Sequence, residues 1–330
     1  SRDSGASWAI IATNLSAESG SYNWNNTNYA SSSYSLWKVE LESNTNVWSH
    51  NQTEFLYRNG PFVYYVNDTS TNGDVYCTAP GNDANLGVSP NTPKRLLSSL
   101  IASANLLPGD TVYMDTGLYP EIINVRFTAL DCGTNGSPVV VQGSTNYAYG
   151  GSIINRMNRD GSAYGIEFSP VNGRPSDVII RDLSVTNAGY GIYANQGQRL
   201  TFENVQARNG AYAGFYFTAC SNIVLRRCVG HQFGWGADSV NSSIVQIEHS
   251  IFWKNTNTGI RALGSGWVGI SNSVVVAEGN AAQAYVAQTP LSITGNYNCI
   301  FAVSNAVAGV IQSLGRNLNT LSAWTRFTTQ

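Results

Sequence analysis

The chain has 330 residues, 42% hydrophobic and 12% charged, with a formal net charge of −2, against about 25% charge in an average globular domain. Three lysines and no basic run exclude a nucleic-acid footprint, and no apolar stretch approaches the ~20 residues that cross a bilayer. Aromatic content of 11% with regular apolar spacing excludes disorder, and low charge with abundant Asn, Ser, Thr, Gly and Tyr suits a β-rich extracellular protein.

The chain starts at Ser1 without an initiator Met or a signal-like apolar run, so it is expected to be a mature or excised segment of a secreted protein. Residues 1–60 are rich in Ser, Asn, Tyr and Trp (Trp8, Trp24, Trp37, Trp48). Short strands are predicted at 6–13, 33–41 and 54–57. The apolar spacing is too weak for an independent core, so an N-terminal arm or cap is expected, able to donate a strand to a neighbouring subunit. Asn-x-Ser/Thr sequons at Asn14, Asn25, Asn51, Asn67, Asn135 and Asn241 are glycosylation candidates. In a chain this rich in Asn, Ser and Thr, chance alone supplies several.

Residues 61–155 read as the entry to a larger domain. A strand is predicted at 62–66 and a turn-rich loop at 81–87. A helix is predicted at 93–107, where Leu96, Leu97, Leu100, Ile101 and Ala104 recur at helical spacing, with Thr92 as N-cap and Pro93 at the first helical position. Strands follow at 111–114, 122–125 and 139–142. One amphipathic helix fits as a cap over the open end of a repeat structure.

Regular coils follow over about 165–311. Val178, Leu200, Ile223, Val245, Val268 and Leu291, spaced by 22 or 23 residues, each open a copy of apolar-x-apolar-polar-polar-x. Glycine-led strands at 165–168, 191–194, 214–217 and 259–262 precede most copies. A fixed period built from short alternating strands predicts a solenoid. Equivalent positions of successive coils then stack ~4.8 Å apart. Val178, Leu200, Ile223, Val245, Val268 and Leu291 form one inward column, and Ile180, Phe202, Leu225, Ile247, Ile270 and Ile293 the next. The column after it reads Arg181, Glu203, Arg226, Glu248, Ser271, Thr294, a ladder of alternating charge that fixes register. Next comes Asp182, Asn204, Arg227, His249, Asn272, Gly295, a bend rich in residues that tolerate left-handed backbone. Arg227 and His249 depart from that chemistry in adjacent coils. Of five cysteines, Cys228 falls at an inward position, and Cys77 with Cys132 is the candidate disulfide.

The run from Val75 to Lys94 (VYCTAPGNDANLGVSPNTPK) and that from Leu107 to Tyr119 (LPGDTVYMDTGLY) resemble the opening of right-handed parallel β-helix proteins of the pectate-lyase-like superfamily. They are most similar to β-helix modules of large secreted bacterial surface proteins. The later VQGSTN (141–146) and the closing LSAWTRFTTQ (321–330) fit the same modules, so the resemblance covers 61–330. It implies an all-β fold, a right-handed single-stranded parallel β-helix with a short N-terminal capping helix.

For function the resemblance implies a polysaccharide lyase among other roles. Such an enzyme removes a proton beside a uronate carboxylate, using Lys or Arg and often Ca²⁺. Under that reading the residues are Lys254, Arg226, Arg227 and His249, with Arg208, His231 and Asp238 nearby in the stack. No three acidic residues cluster in adjacent coils, so neither a metal site nor any other cofactor is expected outside the lyase reading. A carbohydrate-binding adhesin would use exposed rings, with Trp235 and Trp267 as sugar-stacking candidates beside Tyr190, Tyr193, Tyr212 and Tyr216. The sequence favours a third reading, a non-enzymatic extracellular fibre built from copies of the chain. A solenoid has two open ends, the helix caps one, and the segment after Ile293 stays apolar without a charged or proline-rich stop. A head-to-tail contact that does not close gives a filament.

Overall fold

The computed structural model describes residues 1–16, 18, 20–24, 32–53, 55–241, 243–320 and 322–324. The chain divides into two compact units, Ser1–Phe62 and Val63–Gln330.

In the first unit, Ser32–Ser35 pairs antiparallel with Phe55–Tyr57, and Lys38–Leu41 with Asn44–His50. Residues 6–13 do not form the expected strand. They find no partner strand, and Ile10 stays 80% exposed. Trp37 and Trp48 are about half exposed. Two hairpin-sized sheets with their rings in water bury too little apolar surface for a core.

The second unit winds three strands per coil into three faces. Face A holds Val63–Val66, Thr111–Met114, Val139–Gly143, Ile223–Arg226, Ile244–Glu248, Trp267–Ser271 and Ile293–Asn296. Face B holds Gly117–Pro120, Ser152–Asn158, Val229–His231, Ile251–Trp253, Val274–Glu278 and Cys299–Val303. The long strands Ser176–Ala188 and Gln198–Arg208 run through both, bending at Asp182 and Asn204, so A and B are one fifteen-stranded sheet. Face C is a nine-stranded sheet that includes Tyr164–Phe168, Tyr190–Asn195, Ala213–Thr218, Trp235–Val240 and Thr258–Ala262. Pairing between coils is parallel, which leaves the backbone groups of each strand inside the stack bonded to the coils above and below.

Alternation along each strand decides what fills the middle. Val178, Leu200, Ile223, Val245 and Val268 stack inward, as do Ile180, Phe202, Leu225, Ile247 and Ile270, all essentially excluded from water. Face C adds a run of rings, with Phe127 stacked on Phe168 at 5.1 Å. The bend column is left-handed at every level: Asp182, Asn204, Arg227, His249 and Asn272 have φ between 50° and 56°. After the bends at Arg227, His249 and Asn272, a side chain of the next coil takes the backbone N–H of the residue that follows. Cys228 N–H donates to Ser250 Oγ, Ser250 N–H to Ser273 Oγ and Ser273 N–H to Asn298 Oδ1.

Four expectations need correction. The helix, α1, spans Leu97–Ser103 rather than 93–107. Lys94 bridges to Val66 in the sheet and Leu96 is extended, so Pro93 and Thr92 lie outside the helix. The strand expected at 122–125 forms instead at Val125–Phe127. The last coil is two residues longer than its predecessor, which places Ile293 over Val268, Gly295 over Ile270 and Asn296 over Ser271. Leu291 is therefore expelled from the core, at 63% exposure, and Thr294 from the ladder column. Finally, the C-terminal end of face C is covered. Arg316–Leu318 turns back antiparallel onto Val307–Ile311, and a helical turn at 322–324 buries Trp324 against Tyr285. Gly309 makes room for that indole, since a Cβ there would sit 2.2 Å from it.

All five cysteines are free. Cys77 Sγ faces the Val66 carbonyl, whereas Cys132 Sγ donates to Thr128 O, so the expected Cys77–Cys132 disulfide is absent from the fold.

Candidate functional site

Outward columns carry the chemistry. On face A, Arg226 lies between two carboxylates, 2.8 Å from Glu203 and 3.2 Å from Glu248. Arg181 shares their column but does not join the ladder: its Nε is buried without a hydrogen-bond partner. Asp182, at the bend, accepts from Gln142 and Asn204. These groups neutralise one another and leave Arg226 no free geometry for proton abstraction.

Face C presents tyrosines. Tyr164 stacks on Tyr193 at 4.2 Å, Tyr193 on Tyr216 at 5.3 Å and Tyr190 on Tyr212 at 5.2 Å. Because the rings cover one another's faces, they offer edges and hydroxyls rather than platforms for sugar rings. Burial, then the neighbouring rings, pushes the Tyr193 hydroxyl up to about 12. Trp235 carries the Arg261 guanidinium 3.9 Å from its ring, and Arg261 forms a two-bond pair with the fully buried Asp238. Burial raises the Asp238 pKa and that pair opposes the rise. Trp267, on face A, lies against Gly269, where a Cβ would meet its ring at 2.5 Å. Glu167 and Asp238, the carboxylates in the column through Tyr193 and Tyr216, are three coils apart. That is ~14 Å, too far for a glycosidase pair, and each is bound to an arginine.

Face B differs. Thr186, Arg208, His231 and Trp253 stack in one outward column. The His231 ring lies on Trp253 at 5.3 Å and 18°, and the Lys254 ammonium sits 4.7 Å from the same indole. The turn column beyond starts with asparagines, Asn187 and Asn209, joined side chain to side chain. It continues through Gln232 to Lys254, left-handed throughout. Gln206 Nε2 lies 3.2 Å from His231 Nε2. An amide nitrogen only donates, so His231 Nε2 accepts and its proton sits on Nδ1. That Nδ1 and the Arg208 Nε are buried donors without partners. Burial, then Arg208 and Lys254, lowers the His231 pKa. At the corner between B and C, Arg159 and Lys254 flank a hollow of about 340 Å³ that also touches Gln232 and Phe233. None of Arg159, Arg208 and Lys254 pairs with a described carboxylate; segments 204–210, 227–234 and 249–257 contain no Asp or Glu, and the acid next to Arg159 in sequence, Asp160, is exposed.

The four lyase candidates are therefore split. Arg226 is locked on face A. Arg227 and His249 sit exposed on the bend at one edge of face B, and Lys254 sits at the other, a separation of ~10–15 Å at strand rise. Lys254 lies over Trp253, acts electrostatically on His231 and shares its hollow with Arg159. Sequence reasoning had placed Arg208 and His231 near by, but missed Arg159 and Trp253. Trp253 was findable, as the residue at the His231 position one coil on. The calcium of the lyase reading finds no cluster of three His, Cys, Asp or Glu among the described residues. Asn67 cannot be a glycosylation site in this fold, being fully buried and donating to Ser70 O and Ala79 O. Asn14, Asn135 and Asn241 are exposed and Asn51 is partly so, whereas Asn25 lies outside the described residues.

Fold and column chemistry define a parallel β-helix with charged outer faces. The chain belongs to the family described as right handed beta helix region, whose model matches residues 110–275. Among solved structures it is similar to pectate lyase Pel9A, with a TM-score of 0.53 and 19% identity over 76% of this chain and 64% of that one. It is also similar to a rhamnogalacturonan lyase, with a TM-score of 0.46 and 15% identity over 75% and 64% of the two chains. A third likeness is to an alginate lyase from Paenibacillus sp. str. FPU-7, with a TM-score of 0.38 and 13% identity over 64% and 95%. At such identities likeness establishes the fold alone, and the chain spans just under two thirds of the first two structures. No curated protein matches the chain.

Proposed function

We propose that the chain acts on an acidic polysaccharide held along face B, with uronate carboxylates against Arg208 and the His231 Nδ1–H, and Lys254 as the base of a β-elimination. The observation that carries this reading is the set of cations and orphaned donors around Trp253, none of them paired with a carboxylate. A buried donor without an acceptor is costly, and an anionic oxygen satisfies it with a charge-assisted bond. In the reaction, Lys254 in its neutral amine form takes the proton from the carbon next to the carboxylate and becomes the ammonium. The electron pair forms a carbon–carbon double bond, the glycosidic bond at the neighbouring carbon breaks, and the leaving oxygen is protonated from solvent. The likeness to pectate lyase Pel9A agrees with this chemistry. An extracellular location and a carbohydrate partner belong to the same proposal.

The test is incubation with polygalacturonate, alginate and a neutral glucan while recording absorbance of the conjugated product. Product is expected from a polyuronate only, and Lys254→Ala should abolish it while binding persists. Neither product nor retention on any polyanion would end the reading.

A second reading, the extracellular homopolymer, is supported by one feature. Among the described residues nothing pairs with the outer edge of Cys299–Val303, and Tyr297, Phe301 and Val303 are 81%, 53% and 46% exposed. Sizing chromatography and negative-stain microscopy should then show filaments that Phe301→Lys dissolves. A monodisperse monomer at high concentration would remove this reading.

A further inference from the structure

The loop at 67–81, beside the first coil, distributes its hydrogen bonds unevenly. The Asp115 carboxylate accepts from the backbone N–H groups of Val75, Tyr76, Cys77 and Thr116 at 2.6–2.8 Å. Asp68 accepts from those of Ser70 and Leu118. Asp74 has a poorer lot. Its Oδ2 accepts from Asn67 Nδ2 at 2.6 Å, while its Oδ1 is buried without a partner. Asn67 is fully buried and spends its amide protons on Asp74, Ser70 and Ala79, and its own Oδ1 is also buried without a partner. Two buried acceptors are thus stranded on two side chains already joined through their other atoms.

We propose that Asp74 and Asn67 form a proton-binding site, in which Asp74 carries a proton on Oδ1 and donates it to Asn67 Oδ1. One proton satisfies both orphaned atoms and closes a two-bond pair between an acid and an amide. A metal ion fits less well. It would find these two oxygens but no cluster of three ligating side chains among the described residues, whereas a hard cation takes six or more oxygens. The charged groups facing Asp74 are Asp68 from its own loop and Asp115 from the end of Thr111–Met114, with Cys77 and Tyr119 as further acids. No cation is among them to hold a carboxylate ionised. Burial raises the Asp74 pKa to about 6, the Asn67 bond opposes the rise, and Asp115 and Asp68 add to it.

The sign follows from linkage. A pKa raised above the unfolded value of about 4 gives stabilisation that is complete below that value and lost as pH rises through about 6. Ionised Asp74 would turn a carboxylate oxygen towards the Asn67 carbonyl and loosen the loop that Asp115 holds.

Hydrogen exchange of the Val75, Tyr76 and Cys77 amides, corrected for intrinsic rate, tests this in the whole chain. In the wild type, protection should fall by about tenfold or more between about pH 5 and pH 8. Asp74→Asn, which supplies a permanent donor to Asn67 Oδ1, should keep it flat. Flat protection in the wild type, or an equal fall in the variant, would overturn the proposal. Should the variant not fold, the assigned carboxyl carbon resonance of Asp74 in the wild type, followed by NMR against pH, decides. A midpoint near about pH 6 is expected, and one at or below about pH 4 refutes the site.

Discussion

On face A the guanidinium of Arg226 lies between Glu203 and Glu248. One bend away on face B, Arg208 has His231 above it and Trp253 beyond, with no carboxylate in the column. Both columns stack at the same ~4.8 Å spacing, so side chains of successive coils feel each other whatever their sign. Where signs alternate, the column is self-sufficient and gains a few tenths of a kcal/mol per contact. Where cations stand without carboxylates, as Arg208 does with Lys254 in the column beside it, the face is complete only when something else brings the anions. A solenoid thereby writes structural charge and ligand-seeking charge in the same geometry, and the sign sequence along a column separates them.

The largest effect that would sharpen this contrast is on affinity. Arg208→Ala with Arg159→Ala should weaken polyuronate binding by about 100-fold or more, since each charge-assisted bond is worth ~1.5–3 kcal/mol. Arg226→Ala should leave affinity within about twofold and instead lower stability by ~1 kcal/mol, its pairs being part-exposed and screened. Isothermal titration and thermal melts of the same variants measure both. An Arg226→Ala variant as impaired in binding as the double variant would erase the distinction between the faces.

Much of this was readable before the fold was known. The period set the inward columns through Val268, and the charge alternation of Glu203, Arg226 and Glu248 followed from the same alignment. It failed where spacing changed. Two extra residues in the turn before Ile293 shifted the last coil, and an alignment on apolar pattern chose Leu291, an equally apolar residue that the turn leaves outside. Arg181 reads as a ladder member by column but not by reach, which depends on side-chain direction rather than position. The helix start was hidden because Lys94 joins the sheet, a contact made with Val66 across the whole loop. Asn67 carries a sequon that looks exposed in a polar run, yet the strand before it delivers the side chain into the interior. Arg159 was invisible because it comes from an irregular turn that no repeat aligns with Lys254.

A smaller effect separates the two faces by pH. His231 is held neutral by burial and by the positive charge of Arg208 and Lys254. Its folded pKa lies below the unfolded value of about 6.5, so its share of stability is present above that value and lost as pH falls from there through the folded pKa. Protonation would add a cation to face B while uronate carboxylates remain ionised, so polyuronate affinity should rise by about two- to threefold between roughly pH 7 and pH 5 as stability declines. His231→Gln, which keeps a donor but cannot charge, should flatten the affinity profile, whereas Arg226→Ala should retain the wild-type shape. Measuring affinity against pH for the three proteins at fixed ionic strength tests whether the anion contacts the imidazole itself. If all three profiles coincide, the ligand-seeking part of face B shrinks to Arg208, Arg159 and Lys254. The stacked His231–Trp253 pair would then be a support for Lys254 rather than part of the binding surface.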